Sequence, residues 1–162
     1  MNPTRRFVLA SATAGLVPSS FASELAVDEK VVAVAKYGGR DVAWEIALTA
    51  KYTAKFKAEI NGGPTGSIAG DFRFYDTDIL EKEEMPRFLK LPKTFFAPRQ
   101  PIHPWAYVIA LRNPETMAFH EVSVWFGNDM PRSADLQFFF EVWRNIWSGV
   151  PGYPRVPESY AG

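Results

Sequence analysis

A chain of 162 residues with 18 basic and 18 acidic side chains and no cysteine is long enough to bury one core of its own. It cannot build disulfides, thiolate metal sites or a cysteine nucleophile, and it lacks the basic excess that draws a protein to nucleic acid. With 13 prolines and aromatic residues at 15%, including 13 Phe and 5 Trp, it predicts a packed globular domain of short elements and turns rather than a long helical bundle.

Near the start stands Thr4-Arg5-Arg6-Phe7-Val8-Leu9. The run that follows, 8–17, is mildly apolar, carries Ser11, Thr13 and Gly15, and is too short and polar to span a bilayer stably. Ser20-Phe21-Ala22 puts small residues where a signal peptidase reads them, so cleavage is expected after Ala22. This segment resembles a bacterial twin-arginine signal peptide, Ser/Thr-Arg-Arg-x-hydrophobic-Leu, and departs from its fullest form at Val8 and Ala10. The resemblance covers 1–22 alone and implies export, to the periplasm or beyond, by a route that carries folded proteins. A general secretory signal that happens to hold two arginines is the alternative reading, and it also gives export. What remains, 23–162, reads as one domain. Loss of Arg5 and Arg6 leaves 16 basic against 18 acidic residues, a net charge of about −2. No dinucleotide, flavin, haem or iron–sulfur motif follows, so no cofactor is expected.

The stretch from Leu25 to Tyr37 gives mixed signals. Val31, Val32 and Val34 favour a strand, whereas Asp28, Glu29, Lys30 and the closing Gly38-Gly39 suit a short helix; the helix is the expectation. From Val42 to Phe56 apolar and polar residues alternate almost without fault, which predicts one long half-exposed strand. Asn61-Gly62-Gly63-Pro64 breaks it, and 67–75 reads as a second strand forming a hairpin with the first. Asp78-Ile79-Leu80-Glu81 has the form of a capping box for a short helix that Pro86 and Pro92 limit. Proline-rich 91–104 reads as an irregular loop pinned by Phe95 and Phe96. Trp105–Arg112 and Met117–Phe126 form the clearest hairpin, turning at Asn113-Pro114-Glu115.

Beyond Pro131, Ser133 can cap a helix whose Leu136, Phe139, Phe140, Trp143, Ile146 and Trp147 fall on one stripe, with Gly149 and Pro151 to end it. The tail from Tyr153 should lie extended over the surface. The fold class expected is α+β: a curved antiparallel sheet of four or five strands, closing part-way into a barrel or cone if it coils far enough, with the aromatic C-terminal helix laid on it.

Candidate chemistry is sparse. His120 lies on an apolar strand face, His103 in the rigid Pro101-Ile102-His103-Pro104 loop, and Asp71 beside Arg73 and Tyr75. Together they are the residues that could move protons in an apolar cavity. The commoner roles for such residues are a backbone-bonded core histidine and a cross-strand ion pair. Asp71, Asp76, Asp78 and Glu81 echo the spacing of a calcium loop but lack its central glycine, so no metal is expected. No hydrolase elbow or phosphate-binding glycine loop is present. Aromatic residues are the stronger feature. Trp105, Tyr107, Trp125, Phe139 and Trp143 could line a binding surface, and Phe138 and Val142 make the helix apolar beyond its stripe. The tail, an apolar ligand or a partner subunit would cover them.

Two functional readings follow. The first is an exported binding or accessory module that holds a small apolar molecule or docks a partner protein through its aromatic surface. The second is a cofactor-free isomerase, cyclase or lyase using His120 with His103 or Asp71.

Overall fold

The structure, a computed structural model, describes residues 31–38, 42–49, 53–60, 67–73, 84–99, 105–127, 129–150 and 153–161; for 42–43, 53–60 and 67–73 it describes the backbone only. The twin-arginine-like segment, His103 and the Asp78–Glu81 box lie outside the described residues. The elements are β1 (Val31–Gly38), β2 (Val42–Thr49), β3 (Thr53–Ile60), β4 (Ser67–Arg73), α1 (Met85–Phe88), β5 (Thr94–Phe96), β6 (Trp105–Arg112), β7 (Phe119–Phe126) and α2 (Ala134–Trp147), with a 3-10 turn at Glu158–Tyr160.

Among the described residues the strands form one seven-stranded sheet in the order β4-β3-β2-β1-β6-β7-β5. The α+β class holds, with the C-terminal helix on the sheet. Several finer expectations do not. The sheet has more strands than expected, and it is mixed, because β5 runs parallel to β7. It is open, with β4 and β5 as edges, so the partly closed barrel is not what forms. The loop expected over 91–104 contains β5, whose Phe95 packs inward while Phe96 points out.

The expected helix over 25–37 is corrected by β1, a strand from Val31 onward. β1 pairs with β2 on one side and β6 on the other. A strand flanked on both sides needs apolar residues on both faces, which Val31, Ala33, Val34 and Ala35 supply. The helix-favouring charges at 28–30 precede it. The single long strand over 42–56 is corrected too: the chain folds back between Thr49 and Thr53, and β2 and β3 pair antiparallel. β4 then pairs with β3, so the hairpin expected between 42–56 and 67–75 forms with 53–60 instead.

One sheet face carries the main core. Ala33, Ala35 and Tyr37 of β1, Ile46 and Leu48 of β2, Tyr107, Ile109 and Leu111 of β6, and Val122 and Val124 of β7 are buried there with α2. The helix approaches β1 and β2 most closely, where the small Ala33 and Ala35 leave room for its rings. Ser133 caps α2 as expected, its Oγ accepting from the Leu136 N–H at 3.1 Å. All of the predicted stripe is buried, which contributes on the order of 10 kcal/mol before entropy. The opposite face holds a small cluster of Val31, Val34 and Ala47 backed by Ala110 and Phe119. Beside it Lys36 and Glu45, paired across β1 and β2, form an ion pair at 3.5 Å.

The β6–β7 hairpin forms as expected, except that β7 begins at Phe119 and Met117 belongs to the turn, at φ 59°. Asn113 organises that turn: its Oδ1 accepts from the N–H groups of Glu115 and Thr116 at 2.8 and 3.3 Å. No helix among the described residues is long and apolar enough to cross a membrane.

Candidate functional site

The aromatic residues singled out in the sequence fall into two settings. Phe139 and Trp143 are fully buried and Tyr107 nearly so. Tyr107 meets Phe140 and Trp143 edge-on, with centroids 5.2 and 5.1 Å away, and Tyr37 lies 4.8 Å from it. A buried Trp or Tyr carries a donor that needs an acceptor; for Trp143 and Tyr107 the acceptors come from the C-terminal tail, whereas the buried Trp147 Nε1 has none among the described residues. The Trp143 indole Nε1–H donates to the Pro154 carbonyl at 3.0 Å, and the Tyr107 hydroxyl donates to the Arg155 carbonyl at 3.2 Å. The Tyr160 hydroxyl donates to the Pro131 carbonyl at 2.9 Å, and its ring lies 4.9 Å from Phe140. The tail from Tyr153 is extended, as expected, but it is anchored to the core: Pro154 and Tyr160 are buried, while Arg155 and Glu158 stay exposed. Burial pushes the Tyr107 phenol well above its ordinary value, an effect that neighbouring Tyr37 reinforces, and burial raises Tyr37 as well.

The question of what covers the rest of α2 is also answered from within the chain. The Arg87 guanidinium of α1 lies 4.0 Å from the centre of the Phe138 ring while its NH2 group donates to the Ala134 carbonyl. Val142 joins the same core cluster. The apolar breadth of the helix thus serves α1 and the core, and requires no external ligand.

Trp105 and Trp125 differ. Trp105 is 50% exposed at the start of β6, and its ring meets Tyr37 at 5.4 Å. Trp125, near the end of β7, is half-buried and stacks on Phe96 with centroids 6.5 Å apart and planes 15° apart. Phe96 is itself 61% exposed. Trp125 stands in register with Phe96 and with Ala106, next to Trp105, so all three aromatic residues gather at one end of the sheet. Trp105 and Trp125 lie in alternate rows of the pleat, on opposite faces. Sequence reasoning missed the openness of Phe96. The adjacent pair Phe95-Phe96 carried the signal, because a strand turns neighbouring side chains to opposite faces.

His120 is half-buried near the start of β7, in register with Leu111. The Phe88 ring meets it edge-on at 5.9 Å, and among the described residues its Nε2 has no hydrogen-bond partner. Asp71 lies on β4, in register with Lys55 and through it with Ala47. β4 and β7 are separated by β3, β2, β1 and β6, a distance of about 24 Å. The row of Asp71 and Ala47 also belongs to the face opposite that of His120 and Leu111. The sheet does not bring Asp71 to His120.

A further concavity, an open groove of about 880 Å³, runs between the C-terminal end of α2 and the tail, lined by Arg144, Ser148, Tyr153, Arg155 and Val156 among others. No protein-family model, curated protein or solved structure matches this chain.

Proposed function

We propose that this chain is an exported binding module that docks a partner protein through the aromatic end of its sheet, with Phe96, Trp105 and Trp125 as the contact residues. The observation that carries this reading is the exposure of Phe96 at 61% and Trp105 at 50% in a domain that buries the rings of α2 completely. Large exposed aromatic residues are the usual anchors of protein interfaces, where they fill pockets of the partner. The twin-arginine-like segment at 4–9 supports export, and co-transport with a partner suits a chain with no cofactor motif. The proton-transfer reading has less support, since His120 faces Phe88 and stands far from Asp71.

The test is native mass spectrometry of the mature protein purified from the periplasm, alongside the double variant Phe96→Ser/Trp105→Ser. The wild type should carry a companion protein that the variant lacks, while the variant's Tm stays within about 2 °C, as expected of exposed sites. A wild type that travels alone, or a companion kept by the variant, would overturn the reading.

A further inference from the structure

The tail carries proline at every third position, Pro151-Gly152-Tyr153-Pro154-Arg155-Val156-Pro157. A polyproline II chain has three residues per turn, so such spacing sets the prolines along one edge. Residues 153–157 belong to no helix or strand, and Pro157 has φ −57° and ψ 143°, in the polyproline II region. Among the described residues the N–H groups of Arg155 and Val156 make no backbone–backbone hydrogen bond, as expected of a helix with no internal bonds.

A chain of this kind is held only by what it lies on. Here two successive carbonyls, of Pro154 and Arg155, accept from Trp143 and Tyr107, one donor from the helix and one from the sheet. Pro154 is buried, while Arg155 and Glu158 remain exposed. The residues that bond the tail, Tyr107 and Trp143, belong to one cluster of rings with Tyr37, which lies 4.8 Å from Tyr107 and 6.4 Å from Trp143. Packing alone would be served as well by aliphatic residues. Indole and phenol donors aimed at backbone carbonyls from a floor of rings are instead how proline-rich segments are recognised.

We propose that the surface formed by Tyr37, Tyr107 and Trp143 is a recognition site for proline-rich extended chains, filled in cis by residues 153–157. The site reads backbone carbonyls and the preset φ of proline rather than particular side chains, so it takes any segment with prolines at this spacing. Its outer end adjoins Trp105, but the assignment does not depend on what docks there.

The experiment keeps the full chain through folding. A site-specific protease sequence is inserted between Pro151 and Gly152, the folded protein is cut, and a fluorescently labelled synthetic peptide of residues 152–162 is added. The cut segment should stay bound, and the labelled peptide should exchange with it saturably. Replacing both Pro154 and Pro157 by Ala in the peptide should weaken it about tenfold, because prolines spare the chain the entropy of ordering. An alanine-based peptide that keeps only the three-residue proline spacing should compete for the site. Tyr107→Phe in the cut protein should weaken the peptide about fivefold, the share of one hydrogen bond. The proposal fails if the proline-free peptide binds equally well, if the alanine-based peptide does not compete, or if the cut protein unfolds or cannot exchange its segment. Those outcomes would make the tail an ordinary part of the core. The peptide variants leave the folded protein untouched, so their result stands even if Tyr107→Phe fails to fold.

Discussion

Tyr107 has one proton and two polar neighbours. A carbonyl can only accept, so that proton goes to Arg155 at 3.2 Å, while the Tyr37 ring packs beside it with centroids 4.8 Å apart. Burial, foremost, holds both phenols above their ordinary value of 10.0, which means that the native state favours their neutral forms. Their contribution to stability is therefore complete below the unfolded value and is lost as pH rises past it towards the folded values. The urea midpoint of the wild type should be flat from about pH 7 to 9 as far as these groups are concerned, and should fall above about pH 10. Tyr107→Phe keeps the ring and removes the hydroxyl; it should cost about 1–2 kcal/mol at neutral pH, since Arg155 loses a donor, and it should flatten the alkaline fall. A variant equal to the wild type in both respects would show that the hydroxyl bond contributes nothing.

The cap of α2 is a local device with a local test. Ser133→Ala removes the acceptor for the Leu136 N–H and should lower stability by about 1 kcal/mol in urea unfolding, whereas Ser133→Asp should keep the cap. The β6–β7 turn offers a test with the opposite sign. Met117 sits at φ 59°, where a side chain costs about 1 kcal/mol that glycine does not incur, so Met117→Gly should hold or raise the urea midpoint rather than lower it. These two elements were legible in the sequence because each carries its own signal: a stripe with a cap, and two apolar runs about the Asn113-Pro114-Glu115 turn. The β2–β3 turn was not. Partners across it, such as Leu48 and Ala54 or Ile46 and Phe56, differ by an even number of residues, so the alternation runs through the turn without a phase break and reads as one strand. Nor does 50–52, Ala-Lys-Tyr, contain a turn residue to mark it. β1 was misread for a different reason: its strand character comes from neighbours on both sides, one of them β6, far along the chain. The candidate site was legible only as an aromatic composition. Which rings stay open depends on Trp105 and Phe96 lying at strand ends, and which are filled depends on where the Pro154 and Arg155 carbonyls come to rest, both of them tertiary facts.

Stability across the whole molecule should follow distance from the centre of the sheet. β1 is bonded to β2 and β6 along its length and lies under α2, so its amides open only when the main core does. Among the described residues β5, by contrast, pairs with β7 alone, over Thr94–Phe96, in a parallel ladder, and β4 with β3 alone. An edge can open without exposing Ile46, Ile109 or Trp143, which are fully buried at the centre, so it should exchange through local fluctuations of low free energy. Hydrogen exchange followed by mass spectrometry should therefore find peptides spanning 31–38 and 105–112 exchanging last and together, at a rate set by global unfolding, and those spanning 67–73 and 94–96 exchanging first. The tail distinguishes two ways of building this core. If residues 153–161 are held as a bound ligand is held, by the Trp143 and Tyr107 donors and the Tyr160 anchor, they should exchange faster than β1, and Tyr107→Phe should speed them while leaving β1 close to its global rate. If the tail is instead fused into the core, 153–161 and 31–38 should lose protection in a single step under every condition. Edges as slow as β1 would overturn the description of the sheet as open, because such protection requires partners for β4 and β5.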